Sequence, residues 1–209
     1  MALCPHCEAT LETPLCCMSC QALLETEAAL SPFQILNLER GWSVDPHELQ
    51  QKLLRFTRMV HPDFFVGAEP RERELAERHS AAINAAHTTL SRDTTRADLL
   101  LNELGGPSEK DERQMPQAFL MEVIEWNETL EEARAQIKDP ATEARLQELD
   151  ETLKCERVKI LTAVGAGLTP LPPSGAAELL EVRRDLNAVR YIDRALTELE
   201  VLRLEGAAS

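Results

Sequence analysis

Residues 58–65 read Arg-Met-Val-His-Pro-Asp-Phe-Phe (RMVHPDFF) and lie between two stretches with helical periodicity. Pro62 has no backbone N–H and restricts the residue before it, so it ends the helix that leads up to it. His61 and Asp63 therefore belong to a turn. This stretch decides the fold of the region, because it divides a long helical pattern into two helices that can fold back on each other.

Capping residues mark where the flanking helices begin. Asp45-Pro46-His47-Glu48 combines an N-cap aspartate, a proline at the first helical position and a glutamate at the third, and predicts a helix through about Met59. Ser31-Pro-Phe-Gln34 repeats this arrangement one helix earlier. A third helix is predicted from about Pro70 to Leu90 and a fourth from about Thr94 to Leu104, where Gly105 suits a C-cap.

The composition favours an acidic, helical protein. The 209 residues are 44% apolar and only 4% aromatic, and the net charge is −14. This charge argues against a nucleic-acid partner, which requires a basic surface. The sequence has no apolar run long enough to span a membrane and does not begin like a secretory signal, so we expect no membrane association and a cytoplasmic location.

The chain separates into three regions, and we expect domains at residues 1–28, 31–106 and 112–209. The last region is predicted to form three helices, separated by Asp139-Pro140 and by the segment GLTPLPPSG. Their expected ranges are about 115–138, 141–165 and 175–205. The predicted fold class is therefore all-α: a helical hairpin, a C-terminal three-helix bundle and a small N-terminal cysteine-rich segment.

Five of the six cysteines lie between residues 4 and 20. Two CxxC pairs can bring four thiolates to one metal ion: Cys4, Cys7, Cys17 and Cys20. Cys16 is the fallback ligand in place of Cys17. The interpretation is a structural zinc site whose metal supplies the folding free energy of the segment. Rubredoxin-type redox iron is disfavoured because Glu8 and Gln21, rather than glycine, follow the CxxC pairs.

Three basic residues recur on the helix before the His-Pro-Asp turn, namely Lys52, Arg55 and Arg58, and no acidic residue lies between Leu49 and Pro62. At about 100° per residue they form a strip beside the core face. Such a strip alone would be read as a solvated helix face, and His-Pro-Asp alone as a turn. Together they form a basic island that ends in a specific turn.

This combination resembles the J domain of J-type co-chaperones, and LSPFQILNL and INAAHTTL look like that family's first helix and the end of its third. The resemblance implies contact with a DnaK-type chaperone and stimulation of its ATP hydrolysis. The implied contact residues are His61, Pro62, Asp63, Lys52, Arg55 and Arg58. We expect no enzyme activity of the chain itself, because no nucleophile–base pair, phosphate-binding loop or carboxylate pair is evident.

The stretch FLMEVIEWNETL, which begins at Phe119, carries apolar residues outside the predicted core stripe. The core stripe comprises Phe119, Val123, Trp126, Leu130, Ala133 and Ile137. Leu120, Met121 and Ile124 lie to one side of it, among glutamates. Either a neighbouring helix covers these three residues, or they form an exposed patch that docks a partner protein.

The stretch FLMEVIEWNETL, together with HPDFF, RADLLL and VRYIDRAL, is similar to the HscB family, the J co-chaperones of iron–sulfur cluster biogenesis, some of which begin with a two-CxxC segment. The resemblance implies two partners, a DnaK/HscA-type chaperone and an IscU-type iron–sulfur scaffold. It assigns scaffold binding to Leu120, Met121, Ile124 and Tyr191. His87 departs from the family pattern, which has an aromatic residue there.

Two other functions stay open at this point. One is a general J-domain co-chaperone for another client, although Phe64-Phe65 after His-Pro-Asp is unlike the lysine that general J proteins usually have there. The other is a zinc-dependent protein-interaction or redox module in which His-Pro-Asp is incidental. A test of scaffold binding distinguishes the HscB-like function from that of a general J-domain co-chaperone. Reversible reduction of bound iron would favour the redox module.

Overall fold

The computed structural model describes residues 2–26, 29–135 and 140–208. The chain divides into two compact units, Met1–Arg96 and Ala97–Ser209, called unit 1 and unit 2 below. The predicted domain limits at 28/31 and 106/112 stay predictions. Each unit is described by itself.

The described residues form an all-α fold, as predicted. Unit 1 contains α1 (Pro32–Ile35), α2 (Pro46–Val60), a 3₁₀ turn (Pro62–Phe65) and α3 (Pro70–Ser91), and α4 (Asp93–Glu103) spans the division. Unit 2 continues with α5 (Gln117–Ala135), α6 (Pro140–Gly167) and α7 (Glu178–Ala208). Among the residues described, extended pairing is confined to two isolated bridges in the cysteine-rich segment. The predicted core residue Ile137 and the break at Asp139 lie outside the described residues.

The helices of unit 1 begin where the capping residues predict. The Asp45 carboxylate accepts a hydrogen bond from the His47 backbone N–H at 2.9 Å, and Ser31 forms a capping box with Gln34. Helix α2 then packs on α3 through Leu49, Phe56 and Val60, which are buried. Because a short segment connects them, α2 and α3 form a helical hairpin that presents the His-Pro-Asp turn at one end.

The core of unit 2 forms between α5, α6 and α7. Its buried side chains recur every three to four residues along each helix, which is the period that places them on one face. They are Phe119, Trp126, Leu130 and Ala133 on α5, Leu146, Leu149 and Leu153 on α6, and Ala188, Ile192, Ala195, Leu199 and Leu202 on α7. The predicted core stripe of α5 is thereby confirmed for these residues, while Val123 is half-buried.

Helix α4 ends at a glycine C-cap and is joined to α7 by the ion pairs of Asp98. Gly105 takes φ +70°, and the Gly106 N–H donates to the Leu101 carbonyl at 2.8 Å, which is the predicted glycine C-cap. The Asp98 carboxylate on α4 accepts hydrogen bonds from the guanidinium groups of Arg183 and Arg190 on α7.

Within the described ranges, the helices are all too short or too polar to traverse a bilayer.

Candidate functional site

The cysteine-rich segment folds as two equivalent knuckles. In the first, the Cys4 N–H donates to the Ala9 carbonyl at 2.8 Å, and in the second the Cys17 N–H donates to the Ala22 carbonyl at 2.9 Å. The Sγ atoms of Cys4 and Cys20 lie 3.7 Å apart, and those of Cys7 and Cys17 lie 3.6 Å apart. The two knuckles therefore turn their four thiols toward one point.

These four thiols fit a tetrahedral metal ion. All four Sγ atoms lie within 4.8 Å of one another. Zinc bound tetrahedrally at about 2.3 Å from each sulfur would separate the sulfurs by about 3.8 Å, close to the two distances above. Cys16 is fully buried but is not part of this group, so the geometry brings Cys17 rather than Cys16 to the other three cysteines.

The ionisation of the thiols is also consistent with a shared cation. Backbone groups of Cys20 and Ser19 hydrogen-bond to the Cys17 sulfur and lower the pKa of Cys17 to about 6. The backbone of Ala9 lowers the pKa of Cys7, but the neighbouring thiols and burial outweigh it and raise that pKa to about 12. Four thiols this close cannot all become thiolates unless a metal ion neutralises them.

The residues that follow the two CxxC pairs adopt a backbone conformation that favours glycine. Glu8 has φ +59° and Gln21 has φ +62°, in the left-handed region. Glu8 and Gln21 therefore adopt the knuckle conformation that glycine would favour. Their presence after the CxxC pairs does not exclude redox iron. The identity of the metal stays a prediction.

Thr13 and Glu25 attach the knuckles to the helices of unit 1, and neither contact was predicted from the sequence. The buried Thr13 hydroxyl donates to the Ile35 carbonyl at 2.8 Å. Glu25 accepts hydrogen bonds from Arg71 and Arg78 on α3, and both guanidinium groups lower the pKa of the Glu25 carboxylate. The knuckle segment, whose residues 1–28 contain no Lys or Arg, thus forms ion pairs with arginines of α3.

The His-Pro-Asp turn is solvent-accessible. Pro62 begins the 3₁₀ turn, and the His61 Nδ1 accepts a hydrogen bond from the Asp63 backbone N–H at 3.3 Å. The Asp63 side chain is 83% exposed, and Phe64, whose ring meets that of His61 edge-on, is 70% exposed. All three side chains of the motif can therefore reach a partner protein.

The three residues of the basic strip on α2 differ in their ion pairing. Lys52 pairs with Glu48 at 2.9 Å and also donates to the Asn37 carbonyl. Arg55 pairs with Glu12 of the knuckle segment at 2.6 Å. Arg58, nearest to the turn, is exposed and has no ion pair within the part of the chain that the structure describes. The strip is therefore partly occupied by the protein's own acidic groups.

The apolar residues beside the α5 core stripe are exposed in the structure. Leu120 is 43% exposed, Met121 68% and Ile124 54%. No neighbouring helix within the described residues of unit 2 buries them, so the alternative of a covered helix face does not apply. We call these three residues the α5 patch.

Tyr191 on α7 lies near the α5 patch. Its ring meets that of Phe119 edge-on, with 6.0 Å between ring centroids. Its hydroxyl donates to the Asn127 side-chain oxygen at 2.8 Å. At about 100° per residue, Asn127 lies on the same side of α5 as Leu120 and Ile124, so Tyr191 reaches that side of α5, although it lies about seventy residues from the patch in sequence.

Residues 115–200 match the family model described as the HSCB C-terminal oligomerisation domain. The chain is 29% identical over 170 residues to the iron-sulfur cluster co-chaperone protein HscB of Homo sapiens, covering 80% of this chain and 69% of that protein. It is 31% identical over 177 residues to the co-chaperone protein HscB homolog of Aeromonas salmonicida, covering 82% of this chain and 95% of that protein.

The crystal structure of the human co-chaperone protein HscB is similar to this chain with a TM-score of 0.75 and 25% sequence identity. The match covers 96% of this chain and 98% of the human chain. The similarity therefore includes both compact units.

Proposed function

This chain belongs to the HscB family of co-chaperones, and we propose that it serves iron–sulfur cluster biogenesis by bringing two protein partners together. One partner is a DnaK/HscA-type chaperone, and the other is an IscU-type scaffold. Residues 31–106 form the J domain and residues 112–209 the scaffold-binding domain. Hydrolysis of ATP takes place in the chaperone, and this chain contributes contacts rather than catalytic groups.

The chaperone contact is assigned to the His-Pro-Asp turn and the basic strip. The exposure of His61 and Asp63 and the lack of an ion pair at Arg58 support this assignment. An acidic chaperone surface would be attracted to the strip in an otherwise acidic protein, which increases the rate of association. Lys52, Arg55 and Pro62 complete the proposed contact set.

The scaffold contact is assigned to the α5 patch together with Tyr191. The observation that carries the proposed function is the exposure of the three apolar residues of that patch on a well-packed three-helix core. Exposed apolar groups that cluster on a folded domain mark a protein-interaction surface. The acidic residues around the patch would orient the partner.

The metal segment is assigned to structural zinc held by Cys4, Cys7, Cys17 and Cys20. The bound ion would neutralise the thiolates and stabilise the fold of the segment. The knuckles then hold Glu12 and Glu25 against the helices of unit 1.

Chaperone ATPase measurements test the proposed function. The purified chain should raise the steady-state ATPase rate of its cognate chaperone, and added scaffold should raise it further. His61→Gln should abolish the stimulation, because it removes the ring that meets the partner and leaves the two helices of the hairpin intact. An unchanged rate with His61→Gln would refute the J-domain assignment.

Scaffold affinity tests the α5 patch separately. Leu120→Ala with Met121→Ala should weaken scaffold binding at least about tenfold, in line with apolar anchors at interface centres. Val201→Ala with Leu204→Ala is the matched control, because both side chains are apolar and exposed on α7. Equal affinity of the two double variants would exclude the α5 patch as the docking surface.

A further inference from the structure

A cleft of about 470 Å³ lies between the segment after α4 and helix α7 in unit 2. Four cationic side chains line it, and Glu109 is its one acidic lining residue. The cationic residues are Lys110, Arg113, Arg190 and Arg194. In a protein with a net charge of −14, this cleft concentrates positive charge at one place.

The cleft is rigidly built. The Asn187 side-chain amide donates to the backbone carbonyls of Glu112 at 3.0 Å and Gln114 at 2.9 Å, which fixes the segment to α7. Arg184 pairs with the Glu112 carboxylate at 3.2 Å. These bonds set the positions of Lys110 and Arg113 before any partner arrives, so little conformational entropy is lost on binding.

Glu109 and Glu112 form ion pairs within the protein, whereas Asp111 keeps its negative charge and does not line the cleft. Glu109 pairs with Arg190, and its carboxylate lies 3.9 Å from Arg194. The Asp111 carboxylate accepts the Ser108 hydroxyl at 2.6 Å, which lowers the pKa of Asp111. Lys110 and Arg113 have no ion pair among the described residues. With four cationic side chains and one acidic side chain in its lining, the cleft keeps a net positive charge.

Asn187, Met115 and Tyr191 complete the lining of the cleft. Asn187 is 9% exposed, and its side-chain oxygen accepts no hydrogen bond within the described chain. This oxygen has almost no solvent-accessible surface, so it is not available to a ligand in the cleft. Met115 and Tyr191 add apolar surface to the same lining.

We propose that this cleft binds an acidic polypeptide segment of the protein partner that docks on the α5 patch. Carboxylates of the segment pair with Lys110 and Arg113, and its apolar side chains contact Met115 and Tyr191. Inorganic phosphate lacks apolar surface for Met115 and Tyr191, and nucleic acid is disfavoured by the overall charge. The proposal rests on the proposed function, since the occupant belongs to the scaffold partner.

Tyr191 makes the two surfaces continuous. It lines the cleft and also packs on Phe119, which precedes Leu120 of the α5 patch. A partner that contacts the patch and Tyr191 therefore reaches the cleft without a further change in the protein. The apolar patch would provide most of the affinity, and the cleft would add charge-dependent association and orientation.

Affinity measurements with purified scaffold at low and at high ionic strength test the cleft. Lys110→Gln with Arg113→Gln should weaken binding about three- to tenfold at low ionic strength, and the difference should shrink at high ionic strength. Arg145→Gln with Lys154→Gln is the matched control, because it removes the same charge from α6 outside the cleft. Equal affinity of the two double variants at low ionic strength would overturn the proposal.

A second measurement separates failure of the cleft from failure of the proposed function. If the wild-type chain does not bind scaffold, the proposed function fails, and a glutamate-rich decapeptide then tests the cleft by nuclear magnetic resonance. Its addition should shift amide signals of residues 109–115 and 187–194 in the wild type but not in Lys110→Gln with Arg113→Gln. If these shifts are absent, the cleft is not a binding site for an acidic polypeptide. If inorganic phosphate causes equal shifts, or a single-stranded oligonucleotide binds more strongly, the proposed occupant is wrong.

Discussion

Unit 2 and the knuckle segment of unit 1 are stabilised in different ways. In unit 2, three helices bury a continuous apolar core that includes Trp126 and Leu153. In unit 1, the knuckle segment has few buried apolar groups and is held by four clustered thiols and by ion pairs of Glu12 and Glu25. One chain thus combines a core that packs through apolar side chains with a segment whose four thiols are placed to share a metal ion.

The two units also present different contact surfaces. Unit 1 exposes a charged turn at the end of a helical hairpin, whereas unit 2 exposes the apolar α5 patch beside a cationic cleft. Charged surfaces favour rapid, reversible contact, and apolar surfaces favour longer residence. This difference fits the proposed function, in which the chaperone contact is transient and the scaffold is bound for longer.

The largest expected effect is loss of the metal from unit 1. Cys17→Ser should release the metal and make amide hydrogen exchange fast in residues 2–24, because metal binding in small zinc segments contributes about 10–16 kcal/mol. The melting of unit 2, followed by Trp126 fluorescence in a Trp42→Phe background, should not change. Cys155→Ser, which removes an exposed thiol outside the cluster, is the control. Retained metal and slow exchange in Cys17→Ser would contradict the ligand assignment.

A cavity in the core of unit 2 should have the next largest effect. Leu153 is fully buried between the three helices, so Leu153→Ala should lower the free energy of unfolding of unit 2 by about 2–5 kcal/mol. Chemical denaturation followed by Trp126 fluorescence measures this change. Leu120→Ala is the control and should cost less than about 0.5 kcal/mol, because Leu120 is exposed. Equal losses in the two variants would mean that the α5 patch belongs to the core.

Acidification should change the stability of the two units in opposite directions, with a smaller effect. Burial lowers the pKa of His79 in unit 1 from its ordinary 6.5, so the unfolded chain binds a proton there that the folded chain does not. Unit 1 should therefore lose stability as the pH falls below about 6.5. Burial and the nearby Glu181 raise the pKa of Asp185 to about 6, so folded unit 2 binds the extra proton and should gain stability below that pH.

Denaturation at pH 7 and pH 5 with single-tryptophan variants measures these two slopes, since Trp42 reports on unit 1 and Trp126 on unit 2. His79→Leu should flatten the slope of unit 1, and Asp185→Asn that of unit 2. The gain in unit 2 should be small, because solvent screens the partly exposed Asp185. Unchanged slopes in both variants would show that neither residue controls the response.

Local signals made much of the fold predictable. The N-caps Ser31 and Asp45 and the glycine C-cap at Gly105 act within one helical turn, so their effect is readable from adjacent residues. The core stripe of α5 follows from helical periodicity alone. The closeness of the four cysteines follows from their spacing, because each CxxC loop can turn two thiols to the same side.

Contacts between distant elements were not predictable from the same signals. The Glu12–Arg55 pair and the Asp98 contacts with Arg183 and Arg190 depend on which helices meet, which local periodicity does not encode. The cleft was missed because its cationic residues come from two stretches far apart in the chain. The left-handed φ of Glu8 was not predicted, because glutamate seldom adopts it. The backbone hydrogen bonds of the first knuckle hold Glu8 in this conformation.

Mixing two complementary variants tests whether the two partners must be bound by the same chain. His61→Gln retains the α5 patch, and Leu120→Ala with Met121→Ala retains the His-Pro-Asp turn. Chaperone ATPase rates are measured with scaffold present for the wild type, each variant and an equal mixture of both at the same total concentration. The mixture should not regain the scaffold-dependent stimulation of the wild type, because no molecule in it carries both contacts. A mixture as active as the wild type would contradict coupling on a single chain.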